Sequence, residues 1–177
     1  MENSASENRN GAPSSFEALL SAYERPIFSY AYRLLGRRED AEDITQETFV
    51  RLWRYRRRLD LNKNVKAFIY KIATNAAYDL LRSRRRHAEL LIIDDPETSF
   101  ETIDPQTPYS SVEAHADITQ ALARIPVIYR SVLLFFYKED FTYEQIAVLL
   151  SLPINTVKTR IRRAKAALRE HLIDYDA

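Results

Sequence analysis

Apolar residues recur every three or four positions along most of the chain, and only two glycines, Gly11 and Gly36, occur in 177 residues. That spacing places apolar side chains on one face of an α-helix, whereas the alternation expected of strands is weak throughout. The chain is therefore predicted to be all-α. Helices are expected at about 15–35, 39–58, 65–86, 118–125, from Pro126 onward, 142–150 and 155–172. Pro26 is expected to kink or interrupt the first helix, and Gly36 to cap it.

Several classes of protein are disfavoured by composition. The chain has no cysteine, which excludes disulfides and thiolate metal sites, and its three histidines lie far apart in sequence. No apolar run is long enough to span a bilayer, and the polar N-terminus does not resemble a signal peptide. No nucleophile–base pair or phosphate-binding glycine loop is evident. We expect a cytoplasmic protein that is not an enzyme, with no cofactor, metal or small-molecule substrate.

Charge divides the chain into blocks. Residues 1–87 carry 17 Lys and Arg against 11 Asp and Glu, residues 88–117 carry none against 8, and residues 118–177 carry 9 against 6. Basic blocks are typical of proteins that bind polyanions, although solvated helix faces explain the charge equally well. We predict a disordered tail (1–14), a helical domain (15–87), an acidic flexible linker rich in proline (88–116) and a second helical domain (117–177).

The most specific local pattern is a helix-turn-helix near the C-terminus. Thr142 and Gln145 form a capping-box pattern, and the turn 151–153 separates two short apolar helices. The second helix has a polar and basic face suited to the major groove of DNA, where it would read base edges and contact phosphates. That face comprises Asn155, Thr156, Lys158, Thr159, Arg162 and Arg163. The alternative is an ordinary helical hairpin with a solvated basic face.

Two helices of the first block carry further candidate surfaces. In the third helix, basic residues alternate with aromatic ones, a mixture suited to unpaired DNA, unless the tyrosines complete the core. These residues are Lys66, Tyr70, Lys71, Asn75, Tyr78 and Arg82. In the second helix, acids and aromatics suit a protein interface, unless the aromatic pair packs on the first helix. Its candidates are Asp43, Gln46, Glu47, Phe49 and Trp53.

These segments resemble a known family. Residues 40–53 (DAEDITQETFVRLW) resemble region 2.2 of bacterial RNA polymerase sigma factors, and residues 68–75 (FIYKIATN) resemble region 2.3–2.4. Residues 125–130 and 143–163 resemble region 4. The resemblance covers roughly 15–87 and 117–173, without regions 1.1 and 3, and indicates the extracytoplasmic-function (ECF, group 4) sigma-70 type. The chain departs from the family pattern at Ser151 and Asn155, where glycine is frequent, and in the loop 60–64.

The resemblance implies a set of partners. The second helix would bind the β′ clamp helices of core RNA polymerase, and the C-terminal domain would meet the β flap and the −35 duplex. The N-terminal domain would melt the −10 element and hold its non-template strand. The residues implied for −10 DNA are Asn62, Lys63, Asn64, Lys66, Tyr70, Lys71, Asn75 and Arg82. Many members are controlled by an anti-sigma factor, and in the family the linker passes near the RNA exit path.

Two other classes of function are consistent with the residues. A plain helix-turn-helix regulator would act without polymerase and would bind duplex DNA tightly by itself. A sigma-like decoy would bind an anti-sigma factor and never DNA. The basic residues of the second helix of the hairpin, Lys158, Arg162 and Arg163, argue against the decoy.

Overall fold

The regular structure of the chain is helical wherever it is described. The computed structural model describes residues 16–58, 64–91 and 121–173. The helices are α1 (Phe16–Leu35), α2 (Arg38–Tyr55), α3 (Val65–Leu91), α4 (Val127–Tyr137), α5 (Tyr143–Leu150) and α6 (Ile154–Ile173). A 3-10 turn (Arg56–Arg58) follows α2, and residues 121–124 are also helical. The all-α prediction is confirmed, and the two sequence blocks form an N-terminal unit (α1–α3) and a C-terminal unit (α4–α6).

The first helix does not break at its proline. Pro26 lies inside α1, which continues from Phe16 to Leu35. Proline removes the backbone donor that would bond the carbonyl of Ala22, but both residues are exposed, so water can hydrate that carbonyl. The expected interruption is therefore wrong. The predicted cap is confirmed, because Gly36 has a φ of 80° and its N–H donates to the Tyr32 carbonyl at 2.7 Å.

The N-terminal unit buries one apolar stripe from each of its three helices. Leu19, Ile27 and Leu34 of α1 are fully buried. They share a core with Leu52 of α2 and Ile69 of α3, which are also fully buried. The stripes follow the three-to-four-residue spacing seen in the sequence. Packing of these faces stabilises the helices more than local propensity does.

Helix ends differ slightly from the sequence prediction. α2 ends at Tyr55, and the 3-10 turn of three arginines completes the segment predicted to reach residue 58. α3 extends to Leu91, beyond the predicted end at 86 and into residues assigned to the linker. Alanine, glutamate and leucine at 88–91 are strong helix formers, which explains the longer helix. The predicted tail and all of the remaining predicted linker lie outside the described residues.

The two units pack against each other through aromatic rings. Tyr30 of α1 stacks on Phe135 of α4 with centroids 5.1 Å apart and an interplanar angle of 17°. Tyr70 of α3 meets Phe135 and Phe141 edge-on at 6.1 and 5.7 Å. All four rings are at most 4% exposed. We call these four residues the aromatic cluster; it joins the buried residues of both units into one core.

A buried arginine reinforces this junction. The guanidinium of Arg130 donates to the carbonyl of Leu34 in α1 at 2.5 Å, and to those of Ala123 and Ile125 at 2.5 and 3.0 Å. Burial lowers the pKa of Arg130 to about 10, so the group is still charged at neutral pH. The bond to Leu34 satisfies a carbonyl at the C-terminal end of α1, where the helix dipole also favours a cation.

The aromatic cluster predicts a strong stability effect at its centre. Phe135→Ala should lower the free energy of unfolding by about 3–5 kcal/mol, because a fully buried ring leaves a cavity. Urea unfolding followed by circular dichroism measures this. Ile128→Ala on the same helix is the matched control, since Ile128 is 43% exposed, and should cost only about 0.5 kcal/mol. Equal losses in the two variants would contradict the described packing of α4.

Candidate nucleic-acid interface

The N-terminus of α5 carries the predicted capping box. The backbone N–H of Gln145 donates to Thr142 Oγ1 at 3.2 Å, and the N–H of Thr142 donates to Gln145 Oε1 at 2.8 Å. Two backbone donors that a helix leaves unpaired are thereby satisfied. The predicted start of the helix-turn-helix is confirmed.

The turn between α5 and α6 is tight and left-handed. Ser151 has a φ of 54°, a conformation that favours glycine, and its N–H donates to the Val148 carbonyl at 3.3 Å. The N–H of Leu152 donates to the Ala147 carbonyl at 2.9 Å. Glycine is the residue frequent in the family at this turn, so serine adopts the backbone conformation of the residue it replaces. The core of the hairpin consists of side chains that are fully or nearly fully buried: Ile146, Leu149, Val157 and Ile161.

The predicted recognition face of α6 is open to solvent. Asn155, Lys158, Arg162 and Arg163 are exposed, and Thr156 and Thr159 are half-buried. Their spacing places them on one side of the helix, opposite the buried Val157, Ile161 and Ala164. Arg163 also reaches Tyr129 of α4, with Nη1 and the phenol oxygen 3.3 Å apart. The structure therefore brings all six candidates together on one accessible face of α6.

A second exposed surface lies on α2. Asp43, Gln46, Val50 and Trp53 share its solvent side, and we call them the α2 face. Val50 is 39% exposed and was not among the sequence candidates, although its position four residues after Gln46 could have shown it. A large exposed aromatic beside an exposed valine is typical of a protein interface rather than a solvated face.

The remaining α2 candidates have structural partners. Phe49 is 8% exposed and belongs to the core, which favours the alternative that this aromatic residue packs inside the protein. Glu47 accepts a hydrogen bond from Arg51 Nε at 2.6 Å. Trp53 meets Phe16 of α1 edge-on at 4.9 Å, and the guanidinium of Arg56 lies 3.7 Å from its ring centroid. Trp53 is therefore oriented by its neighbours while 46% of its surface remains exposed.

The candidates on α3 and directly before it fall into two groups. Asn64, Asn75 and Arg82 are exposed; Asn64 Oδ1 accepts from the backbone N–H of Ala67 at 3.1 Å, and Arg82 pairs with Asp79 at 3.3 Å. Asn62 and Lys63 lie outside the described residues. The other residues implied for −10 DNA, Lys66, Tyr70 and Lys71, contact the C-terminal unit.

Glu139, between α4 and α5, is the main partner of that second group. Lys66 Nζ donates to the Glu139 carbonyl at 2.5 Å, and the Tyr70 hydroxyl donates to the Glu139 carboxylate. Burial, and then the bond to Glu139, raise the pKa of Tyr70, so this phenol remains protonated. Lys71 Nζ lies 3.4 Å from Ser151 Oγ in the turn of the hairpin. Tyr78, also a candidate by pattern, shares a 2.8 Å hydrogen bond with Ser131 of α4.

One ion pair fixes the basic run at residues 82–86 relative to α2. Arg84 donates to both carboxylate oxygens of Asp40, at 2.6 and 2.5 Å, and the Asp40 side chain is 5% exposed. Bidentate geometry makes this pair stronger than an ordinary surface ion pair. Residue spacing does not indicate this ion pair, because the partners are 44 residues apart.

The chain matches two family models. The model described as Sigma-70 region 2 matches residues 19–87, and the model described as Sigma-70, region 4 matches residues 115–168. The ECF RNA polymerase sigma factor SigW of Bacillus subtilis is 30% identical over 178 residues, which cover 94% of this chain and 93% of that protein. This chain belongs to the ECF sigma factors of the sigma-70 family. Sigma factors are initiation subunits of RNA polymerase, not enzymes, which agrees with the sequence prediction.

One further relative and one solved structure are similar to this chain. The ECF sigma factor SigE of Mycolicibacterium smegmatis is 30% identical over 164 residues, covering 92% of this chain and 63% of that longer protein. The solved structure of the sigma factor RpoE in complex with the anti-sigma factor NepR, from Bartonella quintana, superposes with a TM-score of 0.74 at 25% identity. That superposition covers 89% of this sigma factor and 96% of the other chain.

Other kinds of site are not found in the described part of this sigma factor. Within residues 16–58, 64–91 and 121–173, there is no group of three or more His, Asp or Glu side chains that could hold a metal ion. In the same ranges, no helix is both long and apolar enough to cross a membrane.

The capping box predicts a stability effect within the helix-turn-helix. Thr142→Ala should lower the free energy of unfolding by about 1 kcal/mol, because the N–H of Gln145 loses its acceptor. Thr142→Ser keeps the hydroxyl and should remain close to the parent. Thermal unfolding of the three proteins in parallel makes the comparison. An alanine variant as stable as the serine variant would show that the cap contributes nothing.

Proposed function

We propose that this chain is a group 4 ECF sigma factor that acts in the cytoplasm, where it binds core RNA polymerase and directs initiation at promoters with matching −35 and −10 elements. The proposal rests chiefly on one observation: the exposed basic face of α6 follows a capped helix-turn-helix in a chain that also presents the separate, acidic and aromatic α2 face. We retain 15–87 and 117–177 as the proposed domain boundaries.

The −35 duplex is assigned to α6. Asn155 and Arg162 can make paired hydrogen bonds to base edges, while Lys158 and Arg163 can contact phosphates. Thr156 and Thr159 can contact either base edges or phosphates. The exposure of this face supports the assignment.

Core polymerase is assigned to the α2 face, which would meet the β′ clamp helices, while the C-terminal unit would meet the β flap. Asp43 and Gln46 supply polar contacts, and Val50 and Trp53 supply an apolar centre. Aromatic anchors at the centre of an interface typically carry much of the binding energy. Glu47 and Phe49 would contribute indirectly, since one is paired with Arg51 and the other lies in the core.

The −10 strand is assigned to α3 and the loop before it. Asn62, Lys63, Asn64, Lys66, Tyr70, Lys71, Asn75 and Arg82 are the proposed contacts. Cations would follow the phosphates while a tyrosine ring stacks on an unpaired base, which offsets part of the cost of unpairing. Control by an anti-sigma factor is also proposed, because RpoE of Bartonella quintana was solved in complex with one.

The test of the whole proposal uses the purified chain and core RNA polymerase. Gel filtration shows whether the two co-elute, and run-off transcription from a promoter library shows whether initiation becomes selective. Co-elution with start sites that share −35 and −10 motifs is the expected result. Absence of association with the polymerase of its own host would overturn the proposal in favour of a plain helix-turn-helix regulator, which would bind duplex DNA alone.

The recognition helix can be tested by itself. Arg162→Ala should weaken binding to a selected −35 duplex by about tenfold, corresponding to about 1–3 kcal/mol for one base contact, and should leave polymerase association unchanged. Fluorescence anisotropy measures the duplex affinity. Arg169→Ala on the same helix is the matched control, since Arg169 is exposed one to two turns further along. If both variants lose duplex affinity equally, α6 acts as a general basic surface and does not read the −35 sequence through Arg162.

Substitutions on and beside the α2 face should have the opposite effect, weakening polymerase association but not duplex binding. Gln46→Ala with Glu47→Ala should weaken association with core polymerase by about tenfold, because contacts near an interface centre contribute on the order of 1–2 kcal/mol, while duplex binding is kept. Surface plasmon resonance with immobilised polymerase provides the affinity. Glu24→Ala, an exposed position on α1, is the control. If the double variant loses duplex binding as well, the division of labour between the units is wrong.

A further inference from the structure

The C-terminal end of α2 carries a concentrated positive charge that belongs neither to the α2 face nor to the candidates on α3. We propose that Arg54, Tyr55, Arg57 and Arg58 bind an unpaired DNA strand, the arginines through its phosphates and the tyrosine through a base. We call these four residues the arginine patch. The inference rests on the proposed function and deepens it, because the patch would extend the −10 surface of α3 onto α2 with contacts that do not depend on base sequence.

The charge of the arginine patch is not balanced locally. Residues 48–59 contain five arginines and no aspartate or glutamate. None of the ion pairs in the described part of the chain includes Arg54, Arg57 or Arg58. The helix dipole explains one cation at the C-terminal end of α2. The remaining arginines repel each other at a spacing of three or four residues, and a bound anion would remove that repulsion.

The arginines of the patch are accessible to a ligand. Arg54, Arg57 and Arg58 are exposed. Arg56, which lies among them, is already used: its guanidinium is 3.7 Å from the Trp53 ring centroid, and its Nη1 donates to the Trp53 carbonyl at 2.8 Å. A guanidinium stays charged at any physiological pH, and its planar set of donors matches the oxygens of a phosphate. The three exposed arginines are therefore suited to successive phosphates of one strand.

Tyr55 adds an aromatic surface to the arginine patch. Its ring meets the Phe68 ring edge-on, with centroids 6.0 Å apart and an interplanar angle of 90°. This contact holds Tyr55 in place while 49% of the residue remains exposed. Cations interleaved with open rings are typical of surfaces that bind single strands, because an unpaired base can stack on the ring. A base inside a duplex cannot do so, which favours an unpaired strand as the ligand.

The contact between Tyr55 and Phe68 also places the patch beside the proposed −10 contacts. Phe68 lies in the first turn of α3, and Asn64, an exposed −10 candidate, directly precedes that helix. Lys63, another candidate, follows Arg58 by five residues in the sequence. Five residues of chain span at most about 18 Å. A strand held in front of α3 would therefore pass close to the arginine patch.

An acidic protein surface is the alternative ligand. Arginine and tyrosine are also frequent in protein interfaces, and Arg54 follows Val50 of the α2 face by one helical turn. Two observations favour DNA: the exposed arginines are concentrated without a balancing acid, and the patch lies beside the proposed −10 contacts. Phosphate binding also has its own signature. Each phosphate contact to a single strand steepens the fall of log affinity with log salt concentration by about 0.7.

The salt dependence of strand binding tests the arginine patch. The probe is a labelled oligothymidine of about 12 nucleotides, and fluorescence anisotropy gives its affinity for the full chain from about 50 to about 300 mM salt. Arg57→Ala with Arg58→Ala should weaken binding about tenfold at the lowest salt concentration, because two charged donors are lost. The slope of log affinity against log salt should become shallower by about 1.4, which corresponds to two phosphate contacts.

Two double variants serve as controls for this measurement. Arg57→Lys with Arg58→Lys keeps both charges and should retain the slope of the parent. Arg25→Ala with Arg169→Ala removes the same charge from exposed positions elsewhere and should leave the slope unchanged. An equal loss of slope in this second pair would show that net charge alone attracts the strand, and it would overturn the inference.

Substitution of Tyr55 tests whether the ligand is an unpaired strand. Tyr55→Leu should lower the affinity for oligothymidine by about fivefold to tenfold without changing the slope, because a stacked base is lost and no phosphate contact is. Tyr55→Phe keeps the ring and should bind like the parent. Urea unfolding verifies that both variants are as stable as each other. An unchanged affinity in Tyr55→Leu would contradict the assignment to an unpaired strand.

The outcomes separate the arginine patch from the proposed function. The alanine pair at Arg57 and Arg58 should co-elute with core polymerase as the parent does; loss of co-elution would assign the patch to a protein partner and overturn the inference. Failure of the parent to bind oligothymidine at the lowest salt concentration would also overturn it, while co-elution and run-off transcription would still support the sigma-factor function. If the salt and Tyr55 effects occur but the parent never associates with polymerase, the patch stands and the proposed function fails.

Discussion

Packing of four aromatic rings between the two helical units is the interaction on which the rest of the arrangement depends. Tyr30 and Tyr70 come from the N-terminal unit, and Phe135 and Phe141 from the C-terminal unit, and all are almost completely removed from solvent. Offset and edge-on ring pairs each contribute about 0.5–1.5 kcal/mol beyond the burial of area. At the edges of the cluster, Arg130 donates a hydrogen bond to the Leu34 carbonyl and the Tyr70 hydroxyl donates one to Glu139, which pairs polar groups that the packing buries. Without this cluster, each small unit would have to be stable by itself, which is difficult at such a size.

The same cluster decides which functional surfaces remain available. It leaves α6 and the α2 face open to solvent, because they lie on the outer sides of the two units. It uses the side of α3 that carries Lys66 and Tyr70 for internal contact. Tyr70, which the sequence pattern placed among the candidates for DNA binding, is thus a core residue in this arrangement.

Local features of the sequence were predictable and long-range ones were not. The Thr142–Gln145 box, the Gly36 cap and the basic face of α6 depend on residues within one or two turns of each other, so their spacing is visible in the sequence. The partners of Tyr70 and Arg130 lie 69 and 96 residues away, and spacing carries no information about them. The acidic segment between the blocks favoured independent domains, and periodicity alone could not show that their apolar faces meet. The break expected at Pro26 failed because solvent can satisfy the freed carbonyl on an exposed helix face.

A distance measurement between the units tests the account most directly. The chain has no native cysteine, so Ser21→Cys on α1 and Ala166→Cys on α6, both exposed, accept spin labels only where intended. Pulsed electron–electron double resonance then gives the distribution of label separations in the parent chain and in the Phe135→Ala variant. The account predicts one narrow distribution in the parent chain, because the aromatic cluster joins the two units, and a broader one in the variant, which lacks a central ring of that cluster. A broad distribution in the parent chain, or the same narrow one in the variant, would contradict it.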